Sequence, residues 1–521
     1  MEEQKQDIKK NPWKEIAEPF IGLARAPRAL WGIYLPYVLE GLVYFGILTI
    51  LGKFNSENVE LSDLMAGWVY GAVTGGITFA MLLLGGVSDK IGVRRSLALA
   101  LFTMMLGRLL ISISGTANMG SGVASPMFIT MSVGLLLMVT AYGLYQPAAY
   151  AGVKRFTNPK TAAMGYAVVY GLMNLGAFFS GFVSPIVRRN YIDQFPPNGL
   201  TAVFWVYTVI TGLAVIATIT ILTKRTDEKA VERIARETAE MNAKKEDDKK
   251  DGPETPKQKV NNKPFIGYLA LVILSAFLII MVKTDKLVLP KYCEFIPLVF
   301  TGILAIWEFL RNRPEHPFRD SRFVFFIFIL IPVQTLFAHN WLTLPYYLDR
   351  AFAGTFVGNY FEFFSNLNPI LIFFLAPMIA ALTLKSDIYK MMILGTCVMA
   401  VPTFLLALGP NMYLLLVYIL LMTIGEAMWQ PRFLQWIAEI APEGQTGAYM
   451  GIGQLPWFMT KMITASFSGY FIANYVPKPE TGLPMHTGQM WFIYGLIAIV
   501  TPIALLFAKK WMGKGLEKNR S

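Results

Sequence analysis

Histidine and cysteine are nearly missing from this chain of 521 residues, and charge is thin. Two cysteines, Cys293 and Cys397, and three scattered histidines, His316, His339 and His486, leave no spacing for a metal and no disulfide framework. No phosphate-cradling glycine loop and no nucleophile–base–acid arrangement occurs. An enzyme is therefore not expected, and neither is a cofactor. Charged residues make up 15%, against about 25% in soluble domains. The first 15 residues, MEEQKQDIKKNPWKE, lack an apolar core, so no cleaved signal peptide is expected. The formal charge of +12 gathers in loops and tails. That distribution suits cytoplasmic ends beside anionic lipid rather than nucleic acid.

What is present is apolar length. The chain is 55% hydrophobic with a mean hydropathy of +0.47, the composition of a membrane protein. After a basic cytoplasmic head (1–29), apolar segments lie at 30–52, 64–87, 96–114, 126–152, 161–186 and 200–222. Each is close to the roughly 20 residues that cross a bilayer as a helix. A charged stretch (223–263) follows; its first half reads as a solvated surface helix and its second as linker. Two apolar segments (264–283 and 292–311) precede six more, at 322–348, 360–384, 389–408, 412–438, 446–475 and 488–511, and a basic tail (512–521). Spans 1–6 and 7–12 are numbered leaving the inserted pair (264–311) aside. Fourteen spans put both termini on one side, and the cation-rich loops make that side the cytoplasm. Arg188 and Arg189 are the exception on the opposite side.

The halves echo one another. Span 4 ends in Tyr145-Gln146-Pro147, and span 10 contains Trp429-Gln430-Pro431. At similar offsets each half then opens a glycine-rich span, TAAMGY at Thr161 and TGAYMG at Thr446. The expectation is an all-α membrane protein of two six-helix bundles, bundle 1 (30–222) and bundle 2 (322–511), related by an axis along the membrane normal. A site would lie between them near the midplane.

Ionisable groups in mid-span are costly and are functional candidates. Glu40 lies midway along span 1, and at 100° per residue Tyr37, Glu40, Gly41 and Tyr44 share one sector. Such a carboxyl suits proton or substrate binding, being neutral in one conformation and ionised in another. Glu426 in span 10 stands beside Trp429, Gln430 and Pro431, where a proline break suits a moving gate. Arg108 in span 3 and Lys461 in span 11 are candidate partners for these acids, with the pairing open. Arg432 is expected to snorkel. Tyr170 and Asn174 in span 5, Gln334, His339 and Asn340 in span 7, and Ser365, Asn366 and Asn368 in span 8 are further polar candidates. The substrate cavity is expected to include Tyr37, Tyr44, Gln146, Tyr170, Asn174, Gln334, Asn368, Trp429 and Gln430. Between spans 2 and 3, Gly85, Asp89, Gly92, Arg94 and Arg95 form a tight polar turn.

That turn, of pattern G-x-x-x-D-[RK]-x-G-x-[RK]-[RK], is similar to the signature loop of the major facilitator superfamily. Four stretches further resemble the proton-dependent oligopeptide transporters. Glu40, Tyr44, Phe45 and Gly46 match E-x-x-E-R-F-x-Y-Y-G in part; Tyr170, Asn174 and Gly176 resemble F-Y-x-x-I-N-x-G-S. Ser365, Asn368 and Pro369 with Ala376-Pro377 resemble S-x-N-P-L-x-I…A-P, and span 10 keeps Glu426 and Pro431. The inserted helix pair is also a feature of bacterial members. Departures are Tyr37 and Gly41 for the family's Glu and Arg in span 1, Gln146 for its span 4 Lys, and an apolar residue near Val333 for its span 7 acid. The resemblance implies that those charges engage a peptide's carboxyl end and couple protons, and that Glu426 and Asn174 contact its amino end and backbone.

The function expected is secondary active transport by alternating access, with proton-coupled symport of a small organic solute such as a short peptide. An exporter or facilitator of a non-peptide solute is one alternative, and a non-transporting scaffold or sensor is another. Partners are the solute, protons and the lipid bilayer, for a monomer in the plasma (inner) membrane. Asp89 with Arg94 and Arg95 is expected to stabilise the outward-facing state.

Overall fold

The computed structural model describes residues 27–84, 87–117, 119–157, 162–243, 264, 267–272, 274–275, 295–311, 313, 316–383, 386–440, 449, 452–453 and 455–518. Those residues are helical with short turns, and no strand occurs among them. Bundle 1 comprises α1 (Arg28–Glu57), α2 (Asp63–Leu84), α3 (Val93–Thr116), α4 (Pro126–Arg155), α5 (Ala162–Asn190) and α6 (Leu200–Ile221). Thirty residues of α1 extend about 45 Å at 1.5 Å per residue, longer than the hydrocarbon core of a bilayer. The face at which α1 starts is called the near face below, and the face at which it ends the far face.

The charged stretch begins as α7 (Lys224–Ala243), as expected of a surface helix; residues 244–263 lie outside the described residues. Arg155 at the end of α4 holds Asp227 of α7 at 3.0 Å. Of the inserted pair, most of the first member lies outside the described residues. The second is α8 (Phe295–Arg311), with Phe300, Ile303, Ile306 and Trp307 exposed along one side.

Bundle 2 is more interrupted than its apolar runs suggest. Span 7 is three pieces: Ser321–Ile329, α9 (Ile331–Leu342) and α10 (Leu344–Ala351). Pro332 and Pro345 each lack an N–H and crowd the carbonyl four residues back, which accounts for both joints. Span 8 divides into α11 (Phe361–Ser365) and α12 (Leu367–Leu382), with Pro369 four residues after Ser365. Then come α13 (Ile388–Ala400), α14 (Met412–Ile440), α15 (Leu455–Tyr475) and α16 (Thr487–Lys518). The break expected at Pro431 does not interrupt α14, which stays helical through it. Pro147 is likewise inside a continuous α4. Ten helices among the described residues are long and apolar enough to cross a membrane. The broken span 8, the shorter α8 and the more polar α15 fall outside that set.

Each bundle has its own apolar core, one centred on α1, α3, α4 and α6 and the other on α9, α13, α14 and α16. The bundles meet along two seams. In one, Gly67, Gly71 and Gly75 of α2 lie against Ala465, Gly469 and Met462 of α15, so closely that a Cβ on Gly71 would stand 2.8 Å from that of Ala465. In the other, α5 meets α11 and α12, with Gly181 against Phe363 and Asn366.

Candidate functional site

Two intramembrane charges of bundle 1 neutralise each other inside it. Arg108 of α3 is completely buried and Glu40 of α1 is 1% exposed. Nη1 of Arg108 donates to Glu40 Oε2 at 2.8 Å while Nη2 donates to Oε1, a two-pronged pair whose planar geometry only arginine provides. The Tyr142 hydroxyl of α4 also donates to Glu40, and Thr211 of α6 accepts from Nη1. One carboxylate thereby fastens α1, α3 and α4, and the guanidinium extends the tie to α6. The arginine that the resemblance places at position 41 has no room there: a Cβ on Gly41 would lie 2.7 Å from the Met173 carbonyl oxygen of α5. The guanidinium facing Glu40 comes from α3 instead.

Between the bundles lies a cavity of about 210 Å³. Bundle 1 lines it with Tyr44 of α1, Tyr70 of α2, and Tyr170 and Asn174 of α5. Bundle 2 contributes Gln334 and Trp341 of α9, Asn368 of α12, Glu426 and Gln430 of α14, and Trp457, Thr460 and Lys461 of α15. Glu426 is 4% exposed and accepts from Asn368 Nδ2 at 2.7 Å; the same amide nitrogen donates to Thr423 Oγ1 at 3.0 Å. Among the described residues no cation lies within ion-pair distance of Glu426, and no acid within that distance of Lys461. A carboxyl and an amine thus share one cavity without neutralising each other.

The cavity gathers Tyr44, Tyr170, Asn174, Gln334, Asn368, Glu426, Gln430 and Lys461 from the residues singled out in the sequence. Glu40, Tyr37, Gln146 and Trp429 are outside its lining. Tyr37 donates to Gln146 Oε1 at 2.9 Å and stacks on Tyr145, so those two polar groups satisfy each other within bundle 1. Trp429 is turned into bundle 2, with its Nε1–H on Met399 Sδ. His339 is buried against Tyr494. Arg432 does not run out to a lipid headgroup; it donates to Thr383 at the end of α12. Trp341, Trp457 and Thr460 were not among the sequence candidates. Trp341 follows His339 and Asn340 directly, and an aromatic beside two polar mid-span residues was the available signal.

On the far face the bundles are bound by charge. Lys53 of α1 holds both Glu57, at 2.7 Å, and Asp349 of α10, at 2.6 Å. Arg350 reaches Asp63 of α2 at 2.9 Å and the Val476 carbonyl at 2.7 Å. Arg188 of α5 meets Glu362 of α11 at 2.6 Å, and Arg189 lies over the Tyr360 ring. Two arginines that break the charge asymmetry of the loops are therefore occupied by bundle 2. Asn366 donates to Thr49 Oγ1 at 3.0 Å just below. At the near face, Gly92 takes a positive φ of 85°, a conformation that favours glycine, and Arg94 and Arg95 make no ion pair among the described residues. Gly85 lies outside the described residues, and so does the Asp89 side chain.

Residues 33–344 match the family model of the Major Facilitator Superfamily, more than half of the chain. Dipeptide and tripeptide permease B of Salmonella typhimurium is 21% identical over 95% of this chain and 97% of its own. Dipeptide and tripeptide permease A of Pectobacterium carotovorum is 22% identical over 90% and 88%. Among solved structures, the POT family transporter PepTSo superposes with a TM-score of 0.65 at 17% identity, covering 94% of this chain and 99% of that one. A multi-pass helical chain with two bundles around a cavity that holds a buried carboxyl and an amine, matched by that model over most of bundle 1 and into bundle 2, belongs to the Major Facilitator Superfamily.

Proposed function

We propose that the protein is a secondary active transporter that works by alternating access and carries a short peptide, or a similarly small amine-bearing solute, together with protons. Glu426 carries this reading. It is a carboxyl buried in the plane where the bundles meet, it lines the cavity, and its described partner is a neutral amide. A group so placed can hold either a proton or an ammonium, and exchange of one for the other couples their movements. Proton duty thereby falls to Glu426 rather than Glu40, whose oxygens are taken by Arg108 and Tyr142. The names of the curated relatives support peptides as cargo. Charge asymmetry supports a cytoplasmic near face with both termini on it, and the far-face ion pairs then correspond to an inward-facing state.

A second reading keeps the fold and drops the peptide. It is favoured by Tyr37, Gly41 and Gln146, which stand uncharged where the resemblance has charges. Uptake of dialanine into proteoliposomes under an imposed pH gradient tests the first reading. Glu426→Gln, which keeps the Asn368 contact, is expected to abolish accumulation above equilibrium. Undiminished uphill uptake by that variant would remove proton coupling from Glu426, and no dialanine uptake by the wild type would favour the second reading.

A further inference from the structure

We infer that the anionic end of the cargo is received by bundle 2, on a wall formed by Lys461, Gln334 and Trp341. The inference rests on the transport reading above and adds the chemistry of the cargo's other end. Lys461 is the one cation lining the cavity among the described residues, and no acid there pairs with it. Gln334 is fully buried. Its Oε1 accepts from Thr460 Oγ1 at 3.1 Å, while its Nε2 has no acceptor. Trp341 lies seven residues further along α9, two turns on and on the same side, and its Nε1–H also lacks an acceptor. Thr460 precedes Lys461, so the Thr460–Gln334 bond brings α15 and α9 together at this wall.

Buried N–H groups without acceptors forfeit their bond with water, and of the several found among the described residues Gln334 and Trp341 are the two that line the cavity. Two of them on the lining of a cavity that also holds the Lys461 ammonium call for one kind of guest, an oxygen acceptor bearing negative charge. A carboxylate supplies such oxygens and the charge opposite to Lys461. Among the described residues bundle 1 offers no competing cation: its lining residues are uncharged, and its buried arginine is consumed by Glu40. The cargo is therefore a compact zwitterion whose amine faces Glu426 and whose carboxylate faces Lys461, both charges resting on the same bundle. The cavity, about 210 Å³, is below the roughly 300–1,000 Å³ usual for drug-sized ligands, which selects short molecules.

The test measures binding to the detergent-solubilised full chain by calorimetry, using dialanine, 5-aminopentanoate and the carboxamide of each. Wild type is expected to bind each acid about 10- to 100-fold more tightly than its amide, the worth of a charge-assisted hydrogen bond. Lys461→Gln is expected to bind acid and amide alike, and Lys461→Arg to restore the preference. Gln334→Leu and Trp341→Phe would each narrow it. A preference for the acid that survives in Lys461→Gln overturns the inference, and so does equal binding of acid and amide by wild type. Binding of 5-aminopentanoate but not dialanine, with a Lys461-dependent preference, upholds this wall and refutes peptide transport. Failure of every probe to bind overturns both.

Discussion

Replacing Glu40 by glutamine removes the charge that answers Arg108 and changes little else in shape. The guanidinium would stay fully buried, with its Nε already without an acceptor. It would keep Tyr142, Thr211 and one amide oxygen in place of a carboxylate. Losing a charge-assisted bond costs about 1.5–3 kcal/mol, and an uncompensated buried charge brings the total to about 3–5 kcal/mol. An independent route gives a similar size: an arginine at the centre of a membrane helix costs about 2.5–3.5 kcal/mol on insertion scales. Equilibrium unfolding in mixed micelles would read the loss. The double variant Glu40→Gln with Arg108→Leu removes the stranded charge, so it is expected to be more stable than Glu40→Gln alone. The resulting coupling energy would be at least about 2 kcal/mol. Transport by surviving Glu40→Gln protein would keep its dependence on the pH gradient, since Glu40 is outside the cavity. A Glu40→Gln variant within about 1 kcal/mol of wild type, or strictly additive effects in the cycle, would refute this account of the pair.

Two further changes have defined outcomes. Arg350→Gln frees Asp63 and the Val476 carbonyl on the far face; labelling of a cysteine introduced beside Asp63 is expected to rise about tenfold, as the closed state loses a charge-assisted contact. Gly425→Ala puts a Cβ 2.4 Å from the Met399 backbone nitrogen of α13, and the resulting separation of α13 and α14 is expected to lower stability by about 1–3 kcal/mol, read by the same unfolding assay.

Apolar length and the aromatic-Gln-Pro repeat were enough to expect two bundles, because membrane spans are set by bilayer thickness and by backbone hydrogen bonding. Mid-span charge was likewise enough to single out Glu426 and Lys461. Which way a helix face points was not legible. The sector Tyr37, Glu40, Gly41 and Tyr44 is polar on paper, yet α3, α4 and α5 cover all but Tyr44. Nor could the partner of Glu40 be read, since Arg108 follows it by 68 residues and helix contacts alone bring them together. The proline joints in spans 7 and 8 were visible as residues. Whether a proline ends a helix or is absorbed, as Pro431 and Pro147 are, depends on what neighbours supply to the freed carbonyl.

The α2–α15 seam bears on how two bundles change angle without coming apart. Interlocked side chains would make each step a climb over a ridge, with positions favoured one helical turn apart. Here three glycines face alanine, glycine and a flexible methionine. Met462 is the one large side chain seated in a notch there, against Gly75, so a change of angle along this seam asks a single flexible side chain to move. The larger adjustments would then fall to the charges at the far face and the cargo in the cavity.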